Sequence, residues 1–322
     1  MSDCAGATSP GIAPSTESQI AHDVCALPLV RRLAAMLDRA EGSLREGDSL
    51  PRGWHVLLFN APTRQAQLRD DGAAYLGVNL PDIGLPRLML GGRQNQFLGD
   101  IPIGAKVRRE TRQGAVQMKE GRSGRFALVQ VEHRIFADGG SEPAVVEAQD
   151  FILREASAPS TLAAAAPMAP TLSTSKSGTP NPSTLNPSTA MPSASTASEG
   201  ELASAADPLA ANARRTIVPD ERMLFRYSAM TDNPHRIHYD QHYATVTEGY
   251  PALVVNGSIP AMFLLDLFRS TSEREPSSFS SRNLAPMFCG RLLQLNVQQQ
   301  DDSWRLWATD ESGATTFDAR AD

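Results

Sequence analysis

One stretch near the C-terminus constrains the fold more than any other part of the chain. Residues 258–270 have the spacing of a helix, and their apolar side chains cover nearly its whole circumference. Those side chains are Ala261, Met262, Phe263, Leu264, Leu265, Leu267 and Phe268. A helix with so little polar surface is expected to be covered by other elements on all sides.

The residues after this helix supply a cover. Leu293, Leu295 and Val297 alternate with polar residues, which predicts a strand with one buried face. Further strands are predicted at 304–308 and 315–319, and one at 224–228 before the helix. An antiparallel sheet wrapped around one central helix is the hot-dog arrangement.

The first half of the chain repeats much of this pattern without the helix. A helix is predicted from Glu17 onward, and the Gly139-Gly140 pair predicts a turn. Strands are predicted at 93–97, 107–116, 129–135 and 144–154. Residues 65–89, where a central helix would lie, contain an Asp-Asp-Gly segment and two prolines. We therefore interpret the first half as a degenerate copy that has lost its helix.

Composition divides the chain into segments. Residues 1–16 are predicted to be a disordered tail, 17–155 the N-terminal degenerate hot-dog, and 213–322 the C-terminal hot-dog that carries the chemistry. Residues 156–212 are rich in Ala, Ser, Thr and Pro and are predicted to be a linker, because they cannot bury enough apolar area to fold. The expected fold class is α+β, a double hot-dog.

Charge and composition exclude several classes of function. The net charge of −6 and the aromatic content of 6% argue against nucleic acid as a partner. Cys4, Cys25 and Cys289 are too far apart to indicate a disulfide framework or a metal site. The sequence contains no apolar run of about 18 residues and no basic N-terminal leader, so we expect no membrane partner and a cytoplasmic protein.

The residues that could take part in catalysis cluster in one predicted loop. His235, His238 and His242 lie within eight residues, just before the buried helix. A metal site is disfavoured, because Pro234 interrupts helical spacing and no Glu or Cys ligand lies nearby. His242 fits no catalytic role and is expected to face solvent.

Several segments of both halves match one known family. They are Arg226 to Ala229, His235 to Asp240, Tyr243-Ala244, Glu248 to Pro251, Leu253 to Gly257, Leu85 to Arg87, Gly91 to Arg93, Gly121 to Gly124, Gln149-Asp150, Pro286 to Gly290 and Leu306 to Ala308. With these segments the chain resembles the MaoC-like hydratase superfamily, and in particular the branch of itaconyl-CoA and mesaconyl-CoA hydratases and mitochondrial type 2 3-hydroxyacyl-thioester dehydratases. The resemblance omits the linker.

The resemblance implies roles for particular residues. In the superfamily an Asp and a His five residues apart hold the catalytic water; they correspond here to Asn233 and His238. Asn233 can orient water but cannot exchange a proton at neutral pH, which leaves His238 as the general base. His235 is the first candidate to return a proton to the α-carbon, ahead of Asp232 and Asp240. Gly257 corresponds to the glycine whose amide faces the thioester carbonyl.

The function expected from these residues is the reversible hydration of an α,β-unsaturated acyl-CoA with a short, branched, dicarboxylic acyl group, such as itaconyl-CoA or mesaconyl-CoA. The candidates for holding its carboxylate are Arg87, Arg93, Arg122 and Arg236. No cofactor is expected, since coenzyme A is part of the substrate. The sequence does not decide between a monomer and a homo-oligomer. The alternatives are a 3-hydroxyacyl-thioester dehydratase of fatty-acid synthesis, a non-catalytic thioester-binding module and a thioesterase.

Overall fold

The computed structural model of the chain describes residues 18–40, 42–60, 63–72, 83–85, 87–121, 124–155 and 211–322. The strands in these ranges are β1 Gln19–Val24, β2 Arg87–Phe97, β3 Lys106–Gly121, β4 Gly124–Ala137, β5 Val145–Arg154, β6 Ala213–Ile217, β7 Ser278–Asn283, β8 Leu293–Gln300, β9 Ser303–Thr309 and β10 Thr315–Ala321. The helices are α1 Leu27–Met36, α2 Glu221–Met230 and α3 Ser258–Ser272. Shorter helical turns span Trp54–Leu57, Gln65–Gln67, Arg236–His238 and Tyr243–Thr247.

The described strands form one antiparallel sheet. Their order is β1-β3-β4-β5-β2-β7-β10-β9-β8-β6, so the strands of the first half are followed by those of the second. The two halves meet where β2 pairs with β7, from Gly92 opposite Arg282 to Gln96 opposite Ser278. This one pairing makes the backbone hydrogen bonding continuous across both halves.

Helix α3 is the centre of the second half, as its sequence predicts. Residues 258–265 and Phe268 are buried, and the helix packs against β6, β8 and β9. The Phe268 ring meets the edge of the Trp304 ring with 5.6 Å between centroids. The strands predicted at 304–308 and 315–319 are present as β9 and β10, and the predicted double hot-dog fold is confirmed.

The helix expected from Glu17 begins ten residues later. Residues Gln19–Val24 instead form β1, which pairs with β3, and α1 follows from Leu27. Pro28 lies in the first turn of α1, where a missing backbone N–H breaks no helical hydrogen bond. Proline therefore marks the start of this helix, and the prediction placed the start too early.

The strand predicted at 224–228 is wrong, because these residues lie inside α2. Asp220 caps the helix, and its side chain accepts a 2.9 Å hydrogen bond from the Met223 amide. Leu224 and Tyr227 are buried three residues apart on one face, whereas the Phe225 side chain is exposed. The cap and the three-residue spacing together favour a helix over a strand.

Three strands were expected after α3, and the structure has four. The extra strand, β7, has the sequence Ser-Phe-Ser-Ser-Arg-Asn, and Phe279 is its only buried large apolar residue. It lies between β2 and β10, so both of its backbone edges are hydrogen-bonded. Backbone hydrogen bonds to both neighbouring strands, rather than an alternating apolar pattern, therefore stabilise this strand.

The first half has no counterpart of α3 in its described residues. Between 65 and 89 the structure has a short turn at Gln65–Gln67 and the start of β2, and residues 73–82 lie outside the described ranges. On the sheet of this half, Thr111, His133, Glu147 and Asn95 stand opposite one another on neighbouring strands. All four side chains are buried.

The segment boundaries stay a prediction, because residues 1–17 and 156–210 lie outside the described ranges. Both halves on either side of the linker belong to one compact unit. None of the helices in the described part of the chain is long and apolar enough to cross a membrane.

The central position of α3 leads to a stability prediction. Leu264 is fully buried on this helix, so Leu264→Ala removes packed methyl groups and should lower the free energy of unfolding by about 2–5 kcal/mol. Leu284, whose side chain is half exposed, is the matched control, and Leu284→Ala should change it by less than about 0.5 kcal/mol. Urea denaturation measures both; equal losses would show that α3 is not the core.

Candidate active site

His238 is a buried histidine whose protonation pattern is set by one backbone contact. It is 7% exposed, and its Nδ1 lies 2.7 Å from the carbonyl oxygen of Val254. A carbonyl can only accept, so Nδ1 carries the proton and Nε2 keeps a free lone pair. The Val254 amide donates in return to the Ile237 carbonyl, which ties this loop to the segment that leads into α3.

Burial keeps this imidazole neutral. It lowers the pKa of His238 to about 4; the neighbouring His235 ring also lowers it, while the hydrogen bond to Val254 opposes the shift. At neutral pH the ring therefore carries an unprotonated Nε2, which is the form that can accept a proton from water.

His235 lies against His238, with 5.5 Å between ring centroids and the rings nearly perpendicular. Burial lowers the pKa of His235, and the carboxylates of Asp71 and Glu248 act in the opposite direction. The structure therefore brings the two predicted histidines together. His242, by contrast, is exposed, as expected.

Asn233 shapes the loop between α2 and these histidines. Its side-chain oxygen accepts a 3.2 Å hydrogen bond from the backbone amide of His235, and its backbone amide donates to the Ser228 carbonyl. The preceding Asp232 has a φ of 44°, in the left-handed region that Asp tolerates better than most residues. Asn233 thus fixes the position of His235, whatever else it binds.

Gly257 stands immediately before α3, where helix amides point outward without helical partners. A Cβ atom there would lie 2.5 Å from the side-chain oxygen of Asn283, so the backbone approaches Asn283 more closely than any other residue would permit. The Ser258 amide donates to the Asn256 side chain. The amide of Gly257 itself is therefore the candidate donor to a thioester carbonyl.

Gly257 opens onto a pocket between the two halves, which we call the Gly257 pocket. One wall is apolar and comes from α3, and the opposite wall is polar and comes mainly from β2 and β7. Its lining consists of Gly53, His55, Val56, Leu90, Arg93, Asn95, Gly257, Ser258, Ala261, Met262, Leu265, Phe279, Ser281, Asn283 and Phe317.

The four arginines proposed from the sequence have different positions. Arg93 lines the Gly257 pocket, and its NH1 lies 3.1 Å from Glu147 Oε1. Arg236 binds Asp240 at 2.8 Å and stacks on the Tyr243 ring, and it is not among the residues that line the Gly257 pocket. Arg122 and the side chain of Arg87 lie outside the described part of the structure.

The sequence prediction missed several polar residues around this pocket, notably His55, Asn95, Glu147 and Asn283. One signal for Glu147 was present, because it shares a strand face with the buried Val145 and so places a carboxylate where an apolar residue is expected. His133 likewise stands between Val131 and Ile135 on a buried face. His55 and Asn283 carry no comparable signal.

No group of three or more His, Cys, Asp or Glu side chains in the described residues is arranged to hold a metal ion. Cys25 and Cys289 are both free, and burial raises the pKa of each thiol to about 11. Neither thiol is therefore activated as a nucleophile.

Comparisons with known proteins agree with this architecture. The family described as hydroxyacyl-thioester dehydratase type 2 matches residues 187–289. The mesaconyl-C(4)-CoA hydratase of Chloroflexus aurantiacus is 33% identical over 301 residues, which cover 94% of this chain and 93% of the relative.

Solved structures share the fold at low identity. A MaoC-like dehydratase from Phytophthora capsici superimposes with a TM-score of 0.60 at 13% identity, covering 96% of this chain and 95% of that one. A Mycobacterium tuberculosis protein described as a double hot-dog gives a TM-score of 0.54 at 12% identity, with 95% and 96% covered. With the near full-length relative, these matches show that the chain belongs to the MaoC-like hydratase and dehydratase family.

Proposed function

We propose that the protein is a hydro-lyase that adds water reversibly across the double bond of an α,β-unsaturated acyl-CoA. The observation that carries the proposal is His238, a buried neutral imidazole whose Nδ1 is held by Val254 so that Nε2 is free to accept a proton. Membership of the MaoC-like family supports the same class of reaction.

The proposed reaction needs a base, an oxyanion donor and a proton source. Nε2 of His238 takes a proton from water as the water oxygen bonds to the β-carbon. The electrons of the double bond move toward the thioester carbonyl, whose oxygen accepts a hydrogen bond from the Gly257 amide at the start of α3. The enolate then takes a proton at the α-carbon, so that one water molecule has been added.

Asn233 and His235 are assigned supporting roles. Asn233 orients the attacking water and, through its bond to the His235 amide, keeps the loop in place. His235, in ring contact with His238, is proposed to receive the water proton from His238 Nε2 and to pass it to the α-carbon, which leaves both imidazoles neutral again. No resident cofactor enters this scheme, because coenzyme A arrives as part of the substrate.

For the acyl group we propose a short, branched dicarboxylic acid such as mesaconate or itaconate. Two observations support it: the name of the near full-length relative, and the cationic Arg93 in the pocket beside Gly257. Burying a carboxylate without a partner would cost several kcal/mol, so a site for this acyl group requires such a cation.

A second candidate is the dehydration of 3-hydroxyacyl thioesters, on CoA or an acyl carrier protein. The family that matches residues 187–289 carries that description, and the reaction is the reverse of hydration. A third candidate is a thioester-binding protein without turnover, because Asn233 cannot exchange a proton as the Asp of the superfamily does.

One absorbance experiment distinguishes these functions. Purified protein is incubated with an enoyl-CoA while the ultraviolet band of the conjugated thioester and the free thiol are followed. Hydration removes the band without releasing thiol. A thioesterase would release free CoA, and a binding module would change neither signal.

His238→Ala should lower kcat by about a hundredfold or more, because a general base contributes on that scale. His242→Ala is the matched control, since this exposed histidine of the same loop should leave kcat unchanged. Circular dichroism checks that both variants are folded. Near-normal turnover of a folded His238→Ala protein would remove His238 from the mechanism.

The pH profile gives an independent test of the base. Because the pKa of His238 is lowered to about 4, kcat/KM should stay high down to about pH 5 and fall as the imidazole is protonated near pH 4. Stability should also decrease between pH 6.5 and 4, since the unfolded state binds this proton first. Circular dichroism at each pH separates the two effects; an acid limb at pH 6.5 in folded protein contradicts the proposal.

The acyl preference of the wild-type protein tests the substrate proposal. We expect kcat/KM for mesaconyl-CoA or itaconyl-CoA to exceed that for crotonyl-CoA by at least tenfold, because crotonyl-CoA lacks the carboxylate that Arg93 would bind. A preference for crotonyl-CoA or for longer apolar chains would favour the fatty-acid dehydratase instead.

A further inference from the structure

A turn of the first half, formed by residues 69–72, lies against the loop that carries the two histidines. The Gly72 amide donates to the Arg69 carbonyl at 2.8 Å and closes the turn. The Asp71 carbonyl accepts a 2.8 Å hydrogen bond from the Arg236 backbone amide, and the Asp70 carbonyl accepts from the Arg236 side chain at 3.4 Å. The turn is therefore bound to the residue that follows His235.

Gly72 allows the two segments to approach closely. Its φ is 81°, and a Cβ atom there would lie 2.3 Å from the Pro234 carbonyl oxygen. Only glycine accepts both this conformation and this approach. The turn thus contacts the backbone on both sides of His235, at Pro234 and at Arg236.

Four charged or titratable groups face the His235 ring. Asp71 and Arg69 come from the turn, Glu248 comes from the segment after the histidines, and His238 is the neighbour within the loop. Burial has the largest effect and lowers the pKa of His235. The carboxylate of Asp71 raises this pKa more than that of Glu248 does, and the charge of Arg69 lowers it.

The two carboxylates have different partners. One oxygen of Glu248 accepts a 3.0 Å hydrogen bond from the Tyr243 hydroxyl. Asp71 pairs with Arg69 NH2 at 3.2 Å, and its side chain is only 18% exposed. A carboxylate that is mostly shielded from water acts more strongly on a neighbouring charge than a fully solvated one. Asp71 is therefore the acidic group best placed to act on His235.

The proposed reaction gives His235 a positive charge for part of the cycle. The added water loses a proton to Nε2 of His238 as its oxygen bonds to the β-carbon, and this proton then moves to His235. Until the α-carbon takes the proton, His235 is an imidazolium ion in a largely buried position. Such a cation is unfavourable without a nearby negative charge.

We propose that Asp71 is a positioning residue of the reaction, whose carboxylate holds and stabilises His235 while that ring carries the proton from the added water to the α-carbon. The resemblance to the superfamily places a carboxylate at position 233, where this chain has Asn. The negative charge that Asn233 cannot carry is then supplied by the first half of the chain. The inference rests on the proposed function and adds a residue to its site.

Asp71→Asn keeps the shape and the backbone contacts of the turn but removes the charge. It should lower kcat by about tenfold or more and leave KM within about twofold, because proton transfer is affected rather than binding. Asp71→Glu restores a carboxylate and should bring kcat back to within about threefold of wild type. The matched control is Asp70→Asn, at an exposed neighbouring side chain, which should leave kcat unchanged.

Circular dichroism checks that each variant is folded. Wild-type kcat in folded Asp71→Asn protein would overturn the inference, as would an Asp71→Glu protein that is no more active than Asp71→Asn.

A titration of His235 by NMR, with labelled histidine, separates an electrostatic role from a structural one. Asp71→Asn and Arg69→Gln break the same ion pair. The pKa of His235 should fall in Asp71→Asn, which removes a negative charge, and rise in Arg69→Gln, which removes a positive one. Shifts of both variants in the same direction, or no shift in Asp71→Asn, would overturn the inference.

The two proposals fail in different ways. If the wild-type protein hydrates no enoyl-CoA, the proposed function fails, and the role of Asp71 in proton transfer fails with it. If the wild-type protein turns over an enoyl-CoA while folded Asp71→Asn protein keeps both the wild-type kcat and the wild-type pKa of His235, only the inference about Asp71 fails.

Discussion

The pairing of β2 with β7 is the interaction on which the rest of the structure depends. It joins the two halves into one sheet, and it is the only place where a strand of the first half pairs with a strand of the second among the described residues. It also sets Arg93 opposite Ser281 and Asn95 opposite Phe279. The polar wall beside Gly257 is therefore a product of strand register.

The two halves cover the inner face of the sheet with different kinds of side chain. The second half fills its sheet with α3, whose apolar surface is covered by β6, β8 and β9. The first half has buried Thr111, His133, Glu147 and Asn95 on its sheet. Burial lowers the pKa of His133 to about 4, so that ring is neutral at pH 7, while Arg93 holds the pKa of Glu147 far below its usual range. The first half therefore buries polar side chains where apolar ones would pack, and these side chains form a polar surface next to the candidate site.

The sequence predicted the elements whose periodicity is strong. The helix at 258–270 and the strand at 129–135 have unambiguous periods, and both are present in the structure as α3 and β4. The prediction missed β7, because this strand has almost no apolar pattern and depends on its position in the sheet. It also assigned a strand to residues 224–228, because it overlooked the Asp220 cap of the helix that they form.

The candidate site was predictable in part for similar reasons. His235 and His238 are close in sequence, and the structure brings their rings together. Arg93 and Glu147 are 54 residues apart, and Asn283 reaches the Leu90 carbonyl across 193 residues. Such contacts depend on strand register between distant segments, which a single sequence does not reveal.

Asn283 connects the site to the assembly of the chain. Its carboxamide donates to β2 of the first half while its oxygen occupies the space beside Gly257. In a chain severed between the halves, Asn283 could reach the Leu90 carbonyl again only after β2 and β7 had paired. If the proposed acyl group binds beside Gly257, its binding free energy would also stabilise the association of the two halves.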